Sequence, residues 1–128
     1  MRRIVIVLAA VLTVTGLLLG FGGPLGLVRD VTRALSLVHT WLGLLFLVMF
    51  PLYAWDHIRA NRHWLTALRL VTLSGALQTL SAVLLMLTGV VLIVYVREAW
   101  PAVRSLHHWL TYVLAASVGV HYLARKVW

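Results

Sequence analysis

Four long stretches without a charged side chain dominate this chain and limit what it can fold into. They cover residues 4–28, 34–55, 70–96 and 105–124. Crossing the hydrocarbon core of a bilayer takes about 20 apolar residues in a helix, so each stretch is long enough to span it once. A single segment can cross only as a helix, because all its backbone polar groups must be paired within the segment. The sequence therefore predicts four transmembrane helices.

The composition argues against a soluble domain of this size. Hydrophobic residues make up 62% of the 128 residues and charged residues only 11%. A chain this short has too little interior to remove so much apolar surface from water. We therefore expect an all-α fold, a four-helix transmembrane bundle that forms one membrane domain. The predicted helices cover approximately residues 4–22, 34–57, 69–97 and 102–125.

The distribution of basic residues predicts the orientation in the membrane. With the N-terminus inside, seven of the eleven Lys and Arg residues fall on the cytoplasmic side and four on the outer side. The positive-inside rule then places both termini in the cytoplasm, and we expect the inner membrane of a bacterium. Because these charges lie between the apolar stretches, topology and contact with lipid headgroups explain them without nucleic acid.

The two halves of the chain resemble one another. A Thr-Gly pair at residues 15–16 recurs at residues 88–89, and the pattern His-x-Trp-Leu at residues 39–42 recurs at residues 107–110. Apolar helices are built from few residue types, so short matches between them also arise by chance. The His-x-Trp-Leu match nevertheless favours duplication. We expect a parallel repeat, in which helices 1–2 and helices 3–4 are related by an axis along the membrane normal.

Two histidines and two glycines are predicted to lie at one depth. His39 and His107 are each about 8 Å inside the outer ends of their helices, and Gly16 and Gly89 are about 8–10 Å inside theirs. Such a layer suits a flat ligand whose metal binds one histidine on each side. The glycines would leave room for the edge of this ligand. Haem b has these properties. The chain has no cysteine, which excludes covalent c-type attachment. An interhelical hydrogen bond is the alternative role for each histidine.

The spacing of further residues suggests a second layer near the inner membrane surface. His121 follows His107 by 14 residues, and Gly89 follows Gly75 by 14 residues, so each pair shares a helix face. His57 lies five full turns beyond the outer histidine of the second helix. His57 and His121 are therefore candidate ligands of an inner haem. An interfacial position explains His57 equally well.

Three further residues flank the predicted outer layer. His108 points about 100° away from His107, so the two cannot ligate one metal from the same helix face. His108 is then an alternative ligand to His107, or a hydrogen-bonding partner of a haem propionate or a quinone. Arg33 and Arg104 are suited to pair with propionates in bidentate fashion. Topology and headgroup contact account for these arginines equally well.

These motifs together resemble the four-helix membrane b-type cytochromes, which include the cytochrome b subunits of formate dehydrogenase and nickel–iron hydrogenase. The resemblance covers all four predicted spans. It implies bis-histidine haems stacked across the membrane, and electron transfer between a quinone pool and a partner redox protein. The residues that carry it are His39 with Trp41 and Gly43, His107 with His121, and the glycines Gly16, Gly75 and Gly89.

One position departs from the family pattern. The residue 14 after His39 is Tyr53, where a symmetric di-haem protein has a histidine. The number of haems, one or two, is therefore open. An inner haem uses His57 with His121, or uses a different partner, or is absent.

The expected function is electron transfer through the membrane. Two imidazoles per iron fill both axial positions, which favours electron transfer over oxygen chemistry. The expected partners are membrane lipid, quinone or quinol, and a redox partner subunit. Because no independent catalytic centre is visible in the sequence, we expect an electron-transfer subunit of an oxidoreductase and not a stand-alone enzyme. The alternatives are a haem-free structural or anchor subunit, and a transporter with a histidine relay, which the lack of intramembrane carboxylates disfavours.

Overall fold

The computed structural model describes residues 1–22, 24–64, 69–95 and 101–127, and most of these residues are helical. These residues contain no β-strand, which confirms the all-α prediction. A short 3-10 helix, Arg62–Trp64, follows the second α-helix. The four α-helices are α1 (Arg2–Gly20), α2 (Arg29–Ala60), α3 (Leu70–Val94) and α4 (Pro101–Val127).

Three of the four helices, α1, α2 and α3, are long and apolar enough to cross a membrane. At 27 residues, α4 is also long enough, but it carries three of the six histidines and two tyrosines, which lower its mean hydropathy. The findings agree with a membrane protein. A span by α4, the parallel repeat and the cytoplasmic position of the termini remain predictions.

The start of α2 differs most from the predicted limits, since the helix begins at Arg29 and not at residue 34. The charge-free stretch marks only the apolar part of the helix. A polar first turn precedes that part, and Asp30 there lies near the positive end of the helix dipole. At the other end, the Asn61 side chain donates a hydrogen bond to the carbonyl oxygen of His57 at 2.8 Å, which satisfies a carbonyl of the last turn.

Two prolines lie in α-helices of the described part of the chain. Pro51 lies inside α2. Pro101 is the first residue of α4, where the missing backbone N–H would have no partner within the helix. Of the other predicted limits, residues 96 and 97 at the end of the third helix lie outside the described residues.

The chain divides into two compact units, Met1–Tyr53 and Ala54–Trp128. The first unit contains α1 and most of α2. Its buried apolar residues include Val5 and Leu8 of α1 and two phenylalanines of α2. The rings of Phe46 and Phe50 stack with their centroids 5.0 Å apart.

The second unit contains the end of α2 together with α3 and α4, and α3 packs against α4. Its most deeply buried residues are small: Ser81 and Ala82 of α3 are each 1% exposed, and Ser117 of α4 is 3% exposed. Small side chains let two helix backbones approach closely, which is the usual packing of helices in membranes.

Large apolar side chains cover the surface of the described part of the chain. Val7, Val48 and Leu123 are 60%, 62% and 62% exposed. Both tryptophans of the His-x-Trp-Leu pattern, Trp41 and Trp109, are exposed as well. Large apolar patches of this kind are unfavourable in water and favourable against lipid tails. The exposed surface therefore supports the membrane assignment.

Candidate functional site

Three histidines each lie against a hydroxyl–glycine pair on the helix that precedes their own. Every such pair is a Ser-Gly or Thr-Gly dipeptide, and the contact in each case lies within one of the two units. We call each set a histidine cradle. The His39 cradle contains Thr15 and Gly16, the His107 cradle contains Thr88 and Gly89, and the His121 cradle contains Ser74 and Gly75.

The hydrogen bonds of the first two cradles fix the tautomer of their neutral imidazoles. Thr15 Oγ1 lies 2.8 Å from His39 Nδ1, and Thr88 Oγ1 lies 2.8 Å from His107 Nδ1. Each hydroxyl is also 2.8 Å from the carbonyl oxygen four residues earlier in its helix. A carbonyl only accepts, so the single hydroxyl proton lies in that bond. The imidazole must therefore donate its Nδ1–H, and in the neutral ring Nε2 is then the nitrogen without a proton.

His121 takes the same tautomer through a different acceptor. Its Nδ1 lies 3.1 Å from the carbonyl oxygen of Val71 and 3.3 Å from Ser74 Oγ. Since the carbonyl has no proton to give, Nδ1 of His121 must donate. Ser74 in turn donates to the Leu70 carbonyl oxygen at 2.7 Å. All three cradles thus hold a histidine with its basic lone pair on Nε2.

The glycines of the cradles admit the imidazole rings. A Cβ atom at Gly16 would lie 3.2 Å from His39 Cε1, and a Cβ at Gly75 would lie 3.3 Å from Cε1 of its histidine. At Gly89 the corresponding distance is 3.5 Å. By contrast, a Cβ at Gly43 would meet nothing within 4 Å. The sequence predicts that the cradle glycines lie beside the edge of a flat ligand, whereas in the structure each one lies against a histidine ring.

The other predicted site residues lie outside the cradles. His57 is exposed in the last turn of α2. His108 is half-buried, and its Nε2 lies 2.9 Å from the hydroxyl of Tyr112 on the same helix. Arg33 and Arg104 are exposed near the N-terminal ends of α2 and α4, before His39 and His107 in the chain.

The hydroxyl residues of the cradles are functional candidates that sequence reasoning missed. Thr15, Ser74 and Thr88 are buried, at 7%, 6% and 9% exposure. A signal was present, since the chain contains three Ser/Thr-Gly dipeptides and all three form cradles.

The cradles can supply single imidazole ligands, which suits a metal that already has other ligands. Among the described residues, no three His, Cys, Asp or Glu side chains form a group that could hold a bare metal ion. A haem iron takes four nitrogens from its own macrocycle and needs only axial ligands from the protein. The donor chemistry therefore fits haem better than a bare metal ion.

Comparisons with protein-family models, with curated proteins and with solved structures give no match to this chain.

Proposed function

We propose that this chain is a membrane b-type cytochrome that carries electrons across or within the membrane by means of bis-histidine haem b. His39 and His107 would hold its outer haem, each through one imidazole nitrogen. The observation that carries this proposal is the identical construction of their cradles, each with a threonine hydroxyl 2.8 Å from Nδ1. Two imidazoles with matching hydrogen-bond partners are suited to act as equivalent ligands of one iron.

The tautomer held in these cradles is the one that haem iron requires. A histidine ligates a metal through a ring nitrogen without a proton, while its other ring nitrogen almost always donates a hydrogen bond. His39 and His107 meet both conditions. The cradles orient the rings, and the apolar helix surfaces exclude water. When bound, haem b supplies the one-electron couple of its iron. With no cysteine in the chain, the haem is held non-covalently.

His121 is the ligand of a second, inner haem in this proposal. Its cradle presents the same lone pair on Nε2, and Gly75 admits its ring. His57 is the candidate for the opposite ligand on spacing alone, and it is exposed at the end of α2. Because Tyr53 occupies the position 14 residues after His39, the first unit has no counterpart of His121 at that position.

Neighbouring residues support the choice of ligands. His107 is preferred to His108, because His108 Nε2 already bonds the Tyr112 hydroxyl at 2.9 Å. Arg33 and Arg104 are the proposed partners of the haem propionates, since both are cations near the N-terminal ends of the ligand-bearing helices.

The proposed architecture is a four-helix transmembrane bundle with α1–α2 and α3–α4 as a parallel repeat. The occurrence of a Thr-Gly cradle in both helix pairs supports the repeat. Both termini are cytoplasmic, in the inner membrane of a bacterium. The chain works as an electron-transfer subunit that exchanges electrons with quinone or quinol and with a redox partner subunit.

A pyridine haemochrome spectrum of the purified protein tests this function. We expect b-type haem in protein from cells with an adequate haem supply. The ratio of haem to protein decides between one haem and two. H39A and H107A should lose the outer haem, because each removes an axial ligand. H108A and H63A are matched controls that should keep it, since His108 bonds Tyr112 and His63 lies in the 3-10 helix after α2.

Haem-free wild-type protein from those cells would refute the cytochrome proposal. It would favour a haem-free structural or anchor subunit, in which the threonine–histidine bonds serve only as interhelical contacts. Full haem content in both H39A and H107A would refute the assignment of the ligands.

A further inference from the structure

We infer that the cradle hydroxyls are positioning residues that set the reduction potential of the haem. Thr15 and Thr88 act on the outer haem through His39 and His107, and Ser74 acts more weakly through His121. This inference rests on the proposed function, since it concerns the histidines that serve as ligands there. None of the three hydroxyls contacts the haem in this account, and each acts only through the imidazole.

The geometry supports a lasting effect on the imidazole. The Thr15 and Thr88 hydroxyls are buried, so water does not compete for these bonds. Each hydroxyl is held in place by its bond to its own helix at 2.8 Å. The acceptor that faces Nδ1 is therefore fixed in position, and it keeps the imidazole in one tautomer and one orientation.

The direction of the effect follows from the donor. An imidazole that donates its Nδ1–H is a more basic ligand through Nε2. A more basic ligand stabilises ferric iron more than ferrous iron and so lowers the reduction potential. Replacing threonine by valine keeps the shape of the side chain and removes the acceptor. The potential should then rise.

The size of the effect follows from known outer-shell substitutions, which weaken metal binding by about 10- to 100-fold. For T15V and for T88V we assume that the affinity for ferric haem falls about tenfold while the affinity for ferrous haem is unchanged. For a one-electron couple a tenfold change corresponds to a shift of about 59 mV. The double variant T15V/T88V should shift further in the same direction.

His121 provides an internal contrast. Its Nδ1 lies 3.1 Å from the Val71 carbonyl oxygen, closer than the 3.3 Å to Ser74 Oγ. No side-chain substitution removes that carbonyl. S74A should therefore change the potential of any haem bound by His121 by less than T15V or T88V changes that of the outer haem.

The chain offers matched controls on the same helices. Thr13 of α1 and Thr79 of α3 donate to the carbonyl oxygen four residues earlier, at 2.8 Å and 2.9 Å. Neither hydroxyl bonds a histidine in the described part of the chain. T13V therefore removes the same backbone bond without touching a cradle. T79V removes a bond to the carbonyl oxygen of Gly75, so it touches the His121 cradle but neither cradle of the outer haem. The potential of the outer haem in both variants should equal that of the wild type.

The experiment is a redox titration of the purified holoprotein, with haem content measured on the same samples. We expect T15V and T88V to keep haem at a raised potential, while T15S and T88S restore the wild-type value. If T15V loses haem but T15S keeps it at the wild-type potential, the hydroxyl is again the positioning group. Unchanged potentials in T15V and T88V, with full haem, would overturn the inference and leave the cytochrome proposal intact. Loss of haem in both the valine and serine variants would also overturn it.

A second measurement separates the two failures. Nitrogen-15 NMR of the histidines in the haem-free protein reports which ring nitrogen carries the proton. We expect the Nδ1–H tautomer for His39 and His107 in the wild type, and its loss in T15V and T88V. Wild-type protein that binds no haem refutes the proposed function. An Nε2–H tautomer in the wild type refutes the inference by itself.

Discussion

Adding one methyl group at Gly16 should disturb the site more than adding it at any other helical glycine discussed above. The new Cβ would lie 3.2 Å from His39 Cε1. An ordinary carbon–carbon contact needs about 3.5–4.0 Å, so the ring must move by about 0.3–0.8 Å. The bond from His39 Nδ1 to Thr15 starts at 2.8 Å. A shift at the upper end of that range stretches it to about 3.6 Å, where it is no longer a hydrogen bond.

The expected cost of G16A is about a tenfold loss of haem affinity, or about 1.4 kcal/mol, as for other changes in the partners of a ligand histidine. G89A should cost less, because its Cβ would lie 3.5 Å from His107 Cε1, which is an ordinary contact. G43A is the matched control on α2, where a Cβ meets nothing within 4 Å. Alanine also favours helix over glycine by about 1 kcal/mol, so G43A should be neutral or stabilising.

The assay is titration of haem into haem-depleted protein in detergent, followed by the Soret band. The expected order of affinity is G43A equal to wild type, then G89A, then G16A. Equal affinity of G16A and G43A would refute the argument from the cradle distances. Loss of helical circular dichroism in G16A would mean a folding defect. The haem affinity of G89A, compared with that of G43A, would then test the argument from the cradle distances.

Two further predictions concern the membrane fold. A82L inserts a large side chain at a position that is 1% exposed in α3 and should destabilise the protein by about 1–3 kcal/mol, whereas A116L on the exposed face of α4 should not. Thermal unfolding in detergent measures both variants, and equal stability would contradict the packing of α3. L80K puts a charge at an exposed position near the middle of α3 and should oppose membrane insertion by about 2.5–3.5 kcal/mol. Unchanged insertion of α3 in a translocon assay would contradict its contact with lipid.

The helical fold was predictable because charge-free length is a strong signal. The apolar runs of α1, α2 and α3 are long enough to span, and nothing else in the chain competes with them. Helix ends were less predictable, since Arg29 and Asp30 belong to α2 although they are charged. A charge ends the apolar run, but it does not end a helix. In α4 the histidines that suggest the site also lower the mean hydropathy, which is the property that identifies a transmembrane helix.

The proximity of Gly16 and His39 could be predicted from the sequence, whereas the contacts of the cradle hydroxyls could not. Helical rise puts Gly16 and His39 at one depth, and in the structure they are in contact. The role of Thr15 was not predictable in the same way. Thr13, two residues earlier, makes the same bond to its own backbone, so only the rotation of the helix decides which hydroxyl meets a histidine. That rotation depends on how the two helices pack.

The EPR spectrum of the ferric purified protein tests the central claim most directly. We expect a low-spin signal typical of two imidazole ligands, present in the wild type and in H108A. The low-spin signal of the outer haem should be lost in H39A and in H107A, because each variant loses one of the two histidines that hold this haem and with it the haem. A wild-type protein without haem, or with only high-spin haem, would contradict the claim that His39 and His107 bind one iron.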